Sequence, residues 1–191
     1  MILATSNLHK VGEMRDLLPG VELEPLPAGY ESPVEDGDTF TANALIKARA
    51  AHTAIGADVI ADDSGIESED LGGAPGIYSA RYAGESTSDE ANLDKLLREV
   101  DAAEGERRAR YVCVLVLIDA DGTEHIFEGT CGGLLLRERR GAGGFGYDPI
   151  FVPDGTGPDD DRTMAELSPA EKNRISHRGR AARLLAAHLD G

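Results

Sequence analysis

"ARYVCVLVLIDADGTEHIFEGTCGGLLL", residues 109–136, decides the fold class. Its first half is a continuous apolar strand, Asp121-Gly122 marks a turn, and a return strand follows, so the segment reads as a β-hairpin. Working outward, helices and strands alternate on both sides of it. A short strand is expected at residues 2–5, then a helix with Val11, Met14, Leu17 and Leu18 on one face, stopped by Pro19-Gly20. "VELEPL", residues 21–26, alternates as a strand should, and an Ala-rich helix spans residues 39–55 and ends at Gly56. "DVIADDSGIESEDL", residues 58–71, predicts a strand, a turn at Ser64-Gly65 and a second strand. The breaker-rich residues 72–86 predict a loop. Thr87 and Glu90 form a capping-box pattern ahead of a helix carrying Leu93, Leu96, Leu97 and Val100. Ser168-Pro169-Ala170-Glu171 opens a final helical region. A hairpin inside a βα alternation predicts an α/β fold with a mixed twisted sheet flanked by helices. Residues 1–191 are expected to form one domain or two closely joined lobes.

The net charge of −16 argues against a broad electrostatic grip on nucleic acid or an anionic membrane. A small polyanion remains compatible with it, because screening limits the global field to roughly 8 Å at physiological salt and a few local cations plus a metal can prevail. No apolar run has the length of a membrane span or the pattern of a signal peptide, so a cytoplasmic protein is expected. Cys113 and Cys131 stand apart in strand-like surroundings and are expected as buried thiols.

Polar clusters at strand ends and in loops are the candidates for chemistry. In "TSNLHK" (Thr5, Ser6, Asn7, Leu8, His9, Lys10), side chains and helix-start N–H groups can hold phosphate with Lys10 as countercharge; equally, Ser6 or Asn7 simply caps the helix. In "ADDSG", residues 61–65, Asp62 and Asp63 should face opposite ways. One can bind a divalent ion or take a proton from water; the same four polar letters also make a good turn. "VEDGDTF", residues 34–40, offers Glu35, Asp36 and Asp38 as hard oxygen ligands. Since Mg²⁺ typically takes one or two protein carboxylates, Glu35 with Asp63 would suffice. "EKNRISHRGR" supplies Lys172, and His177-Arg178 follow the Ser176 cap where a helix start favours anions. In "GGFGYDPIF", residues 143–151, Phe145 or Tyr147 can lie against a nucleobase. The glycines, Gly146 among them, let backbone amides approach, and Asp148 can accept from ring nitrogens. Together these pieces point to a nucleoside triphosphate site.

These segments, with "EDGDTFTANALIKA" and "ADDSGIESEDLGGAPGIYSARYAG", resemble the Ham1/RdgB family of inosine triphosphate pyrophosphatases in order and approximate spacing over nearly the whole chain. The resemblance implies two lobes around a central cleft, usually in a homodimer, and Mg²⁺-dependent hydrolysis of ITP, dITP and XTP to monophosphate and pyrophosphate. On this pattern Thr5 to Lys10 hold phosphates, Glu35 and Asp63 bind Mg²⁺, and Asp63 accepts the proton of water. Ser64 touches substrate, Phe145, Gly146, Tyr147 and Asp148 receive the base, and Lys172, His177 and Arg178 complete the pocket. One departure is Ala42, where many relatives carry Glu before the Asn. The alternatives are a Maf-type pyrophosphatase acting on modified pyrimidine nucleotides and a nucleotide-binding regulator that does not hydrolyse its ligand.

Overall fold

The computed structural model describes residues 1–5, 7–157 and 159–191, with the backbone but not the side chain of Leu8. Among these residues the chain forms β1 (Ile2–Leu3), α1 (Leu8–Leu17), β2 (Glu24–Pro25), α2 (Phe40–Ile55), β3 (Val59–Ser68), α3 (Asp89–Ala103), β4 (Arg108–Ile118), β5 (Glu124–Leu135), β6 (Phe151–Pro153), α4 (Pro169–Ile175) and α5 (His177–Leu189). The strands make one six-stranded sheet in the order β2-β1-β3-β4-β5-β6. β1 pairs in parallel with β2 and with β3, whereas β5 and β6 are antiparallel, so the sheet is mixed as expected. The hairpin turn forms where predicted, with the Gly122 N–H donating to the Asp119 carbonyl and the Asp119 N–H to the Thr123 carbonyl.

The predicted turn at Ser64-Gly65 does not form. Both residues lie inside the ten-residue strand β3. A glycine inside a strand costs roughly 0.5–1 kcal/mol. Pairing on both flanks and the full burial of Val59, Ile60 and Ile66 outweigh that. Two smaller shifts have local causes. The α3 cap is Ser88, whose side chain accepts from the Ala91 N–H, while Thr87 donates to Gly84 O and to Asn92 Oδ1 instead. Residues 76–81 within the predicted loop wind into a 3₁₀ turn.

The chain divides into two compact units. The first comprises Met1–Asp63, Cys113–Gly129 and Arg178–Gly191, and its core holds Leu3, Met14, Leu18, Ile60, Leu115, Leu117 and Leu185. The second comprises Ser64–Val112 and Thr130–His177, with Ile66, Leu96, Val100, Ile150, Phe151 and Met164 at its centre. The unit boundary cuts β3 between Asp63 and Ser64. Among the described residues no helix is long and apolar enough to cross a membrane. Both cysteines are buried thiols, and burial pushes Cys113 up to about 12, too high for a thiolate at neutral pH.

Candidate active site

In the first unit the chemistry collects around the adjacent carboxylates of β3. Neighbouring strand residues point to opposite faces, so Asp62 and Asp63 meet different partners. Asp62 is 1% exposed and takes Lys10 Nζ at 2.7 Å and Arg178 Nη2 at 3.7 Å. Burial opposes its charge, but Lys10, Arg178 and Lys47 together outweigh that and hold it well below the ordinary 3.8. Asp62 is therefore an ionised counter-ion at neutral pH.

Asp63 is the opposite case. Its Oδ1 lies 3.4 Å from Lys47 Nζ, and that same ammonium is closer, at 2.8 Å, to Glu35 Oε2. Its Oδ2 is buried and has no hydrogen-bond partner among the described residues. Burial pushes Asp63 up from 3.8; Lys47 and Lys10 pull it back incompletely, and the charges of Glu35 and Asp62 add to the rise. Lys47 itself shifts upward, because Asp63, Asp62 and Glu35 overcome the effect of its burial. One ammonium shared by two carboxylates is better satisfied than either of them. The pair thus keeps an unmet demand for positive charge.

That demand is the observation against which a divalent cation can be judged. Two hard carboxylates, one with a buried unclaimed oxygen, fit Mg²⁺, which takes few protein ligands and fills the rest of its shell with water and phosphate. Among the described residues no group of three or more His, Cys, Asp or Glu side chains converges on a metal position.

The segment before α1 behaves first as a helix cap. Asn7 Oδ1 accepts from the His9 N–H at 3.0 Å and the Lys10 N–H at 3.3 Å, and Thr5 Oγ1 accepts from the Asn7 N–H at 3.2 Å. These N–H groups, read in the sequence as phosphate donors, already have an acceptor. Lys10 stands beside Asp62, His9 is exposed, and Ser6 and the Leu8 side chain lie outside the described residues. Arg178, 3% exposed, donates to Glu13 Oε2 and faces Asp62, so it acts as a buried brace of that carboxylate.

In the second unit the glycine-rich segment is built around Asp148. Its Oδ2 accepts from Lys172 Nζ at 2.7 Å and from the Phe145 N–H at 3.0 Å, and its Oδ1 accepts from the Tyr111 hydroxyl at 3.2 Å. The carboxylate sits so tightly in the loop that a Cβ on Gly144, which has φ +70°, would lie 2.0 Å from Oδ2. Burial and the Asp148 charge push the Tyr111 phenol upward, so it stays a donor, and its ring stacks on His177 at 4.6 Å. Tyr147 is buried and donates its hydroxyl to the Ser79 carbonyl at 2.7 Å, tying the segment to the 3₁₀ turn. Of the two aromatics offered for a base, Phe145 is the half-buried one, with Lys172 Nζ 5.0 Å from its ring centre. Gly146 donates to Asp89 at 2.9 Å, and Ser64 is half-buried next to Asp63.

Lys47, Glu13 and Tyr111 are not singled out by the sequence analysis. The pointer to Lys47 is that it is the first cation of the helix that follows the acidic loop. For Tyr111 the pointer is a hydroxyl inside an otherwise apolar strand.

Comparison with known proteins identifies relatives of the whole chain. Residues 1–188 match the Ham1 family. The chain is 47% identical to a dITP/XTP pyrophosphatase of Corynebacterium diphtheriae, covering all of this chain and 97% of the relative. A HAM1 protein from Coxiella burnetii superposes with a TM-score of 0.88 at 40% identity, covering 99% of this chain and 97% of that one. The Staphylococcus aureus Ham1 protein gives 0.87 at 42% identity, covering 100% and 97%. The mixed α/β fold is shared over its whole length, and the chain belongs to the Ham1 family.

Proposed function

We propose that the chain hydrolyses non-standard purine nucleoside triphosphates (dITP, ITP and XTP) to the monophosphate and pyrophosphate, by attack of water at the α-phosphorus. What carries the proposal is Asp63: a buried carboxylate whose pKa is raised, with one oxygen unclaimed, beside a second carboxylate that shares its lysine. Such a group can hold a water and take its proton. Glu35 and Asp63 would hold Mg²⁺, which when bound supplies charge neutralisation of phosphate oxygens. Lys10 and Lys47 add fixed positive charge in the first unit, where charge building on departing pyrophosphate needs it. In the second unit Phe145 offers a stacking face, and Asp148 with Lys172 and Tyr111 holds the segment that presents it. The units are read as lobes of one domain, since β3, β4 and β5 each supply residues to both.

The test is pyrophosphate release from ITP, dITP, XTP, GTP, ATP, UTP and dTTP, with Mg²⁺ and with EDTA. Turnover confined to 6-oxo purines and abolished by EDTA is expected. Preference for pyrimidine nucleotides would move the chain to the Maf-type alternative, and calorimetric binding of ITP without product to the non-hydrolysing one. Discrimination against adenine follows if the pocket donates to a 6-oxo group, because an unsatisfied buried donor costs about 1–3 kcal/mol.

Phe145→Ala should raise KM for ITP by roughly 5- to 150-fold, corresponding to about 1–3 kcal/mol of lost base stacking. The melting temperature should hardly move, since the ring is only half-buried. Steady-state kinetics on ITP and thermal unfolding check both halves; an unchanged KM would remove Phe145 from base recognition.

A further inference from the structure

Glu35 lies on a loop, and a carboxylate binds a cation more tightly when its main chain is already held, because less freedom is lost on binding. The hold is visible one turn into α2. Asn43 is 1% exposed, and its Oδ1 accepts the Gly37 N–H at 2.9 Å. The loop presses directly on the helix there: a Cβ at Gly37 would lie 2.7 Å from the Ala42 Cβ and 2.8 Å from Asn43 Oδ1. Glycine is needed at this position for close approach. Four residues along the same helical face, Lys47 takes the Glu35 carboxylate at 2.8 Å. One face of α2 therefore grips the acidic loop twice, at the main chain and at the side chain.

We propose that Asn43 is a positioning residue for the divalent cation: it presets residues 35–37 so that Glu35 is ordered before the ion arrives. The inference rests on the assignment of Glu35 and Asp63 as the cation's ligands. The start of α2 does not depend on Asn43, because Thr39 is the N-cap and accepts from the Ala42 N–H at 3.0 Å, while Phe40, Ala44, Ala48 and Ala51 supply the helix's buried apolar face. Asn43 is thus separable from the fold of the helix that carries it. Removing its acceptor leaves the Gly37 N–H unanswered and returns backbone freedom to the loop, which ion binding must then take away.

The experiment is Mn²⁺ binding to the full chain without nucleotide, read from the loss of the free-ion EPR signal. Asn43→Ala should weaken Mn²⁺ by about 10- to 100-fold, the usual effect of losing a partner that orients a ligand. Asn43→Asp keeps an acceptor oxygen for the Gly37 N–H and should stay near wild type. At saturating Mg²⁺ the kcat of Asn43→Ala should recover, whereas a merely unfolded fraction would not. Should Asn43→Ala lose its cooperative thermal transition, Gly37→Ala pushes on the same hydrogen bond from the loop side and is expected to weaken Mn²⁺ likewise. Wild-type affinity in Asn43→Ala, or in Gly37→Ala where that stands in for it, while Glu35→Gln binds weakly, overturns the role of Asn43 alone. Wild-type affinity in Glu35→Gln overturns the ligand assignment, and this proposal with it.

Discussion

Asp63→Asn is expected to lower kcat by about 10³-fold or more, the scale associated with losing a positioned base together with a metal ligand. Asparagine keeps the shape and one acceptor oxygen but can neither take a proton nor carry charge. The same substitution should not lower stability. A carboxylate whose folded pKa is raised stabilises the fold most below its unfolded value, 3.8, and that contribution is lost as pH rises through the folded value. At neutral pH the ionised, buried Asp63 therefore weighs against folding, although Lys47 offsets part of this. The metal-free Asp63→Asn protein should melt at or above wild type at pH 7, with the advantage shrinking toward pH 4. Calorimetry at the two pH values and pyrophosphate release at pH 7 check the two halves. A variant that melts well below wild type at pH 7, or one that turns over normally, would remove Asp63 from this role. In the wild type, raising Mg²⁺ should carry the acidic limb of the kcat/KM profile to lower pH, because a bound cation favours the carboxylate form.

The second large effect lies one residue earlier and has the opposite character. Asp62→Ala should destabilise the fold by about 3–5 kcal/mol, because it takes from Lys10 its carboxylate at 2.7 Å and from the buried Arg178 one of the two carboxylates it faces, the other being Glu13. Urea denaturation of the metal-free chain at pH 7 measures this directly. Asp62 is held below 3.8, so its contribution is present in full above that value and is lost as pH falls below it. The gap between wild type and variant should therefore narrow only in acid. A loss of under about 1 kcal/mol at pH 7 would place Asp62 among ordinary surface charges. The roles proposed for the two consecutive aspartates therefore differ, electrostatic and structural for Asp62 and chemical for Asp63.

Much of this was open to sequence reasoning where the signal is local. The hairpin at residues 109–136, the Ser168 capping box and the helix closing at Gly56 each depend on a few neighbouring residues, and each formed as read. Family membership was legible for a related reason: the resemblance is carried by continuous segments such as "LGGAPGIYSARYAG", and a match of that kind is a property of the string. Ser64-Gly65 shows the limit. Its four-letter context is a good turn in isolation, and only flanking strands and the burial of Ile60 and Ile66 make it the middle of β3.

The string of residues by itself determined the alternating α/β plan, the caps and breakers, the inventory of carboxylates and cations, and the opposed faces of Asp62 and Asp63. These follow from backbone periodicity and side-chain chemistry, which act over a few residues. Tertiary structure alone decided which carboxylate receives which cation. Lys47 reaches Glu35 and Asp63, Arg178 reaches Glu13 and Asp62, and Lys172 with Tyr111 reaches Asp148, all across separations in sequence that carry no periodic signal. Charge preference depends on burial and on distances of a few ångströms, and both exist only once remote segments have packed.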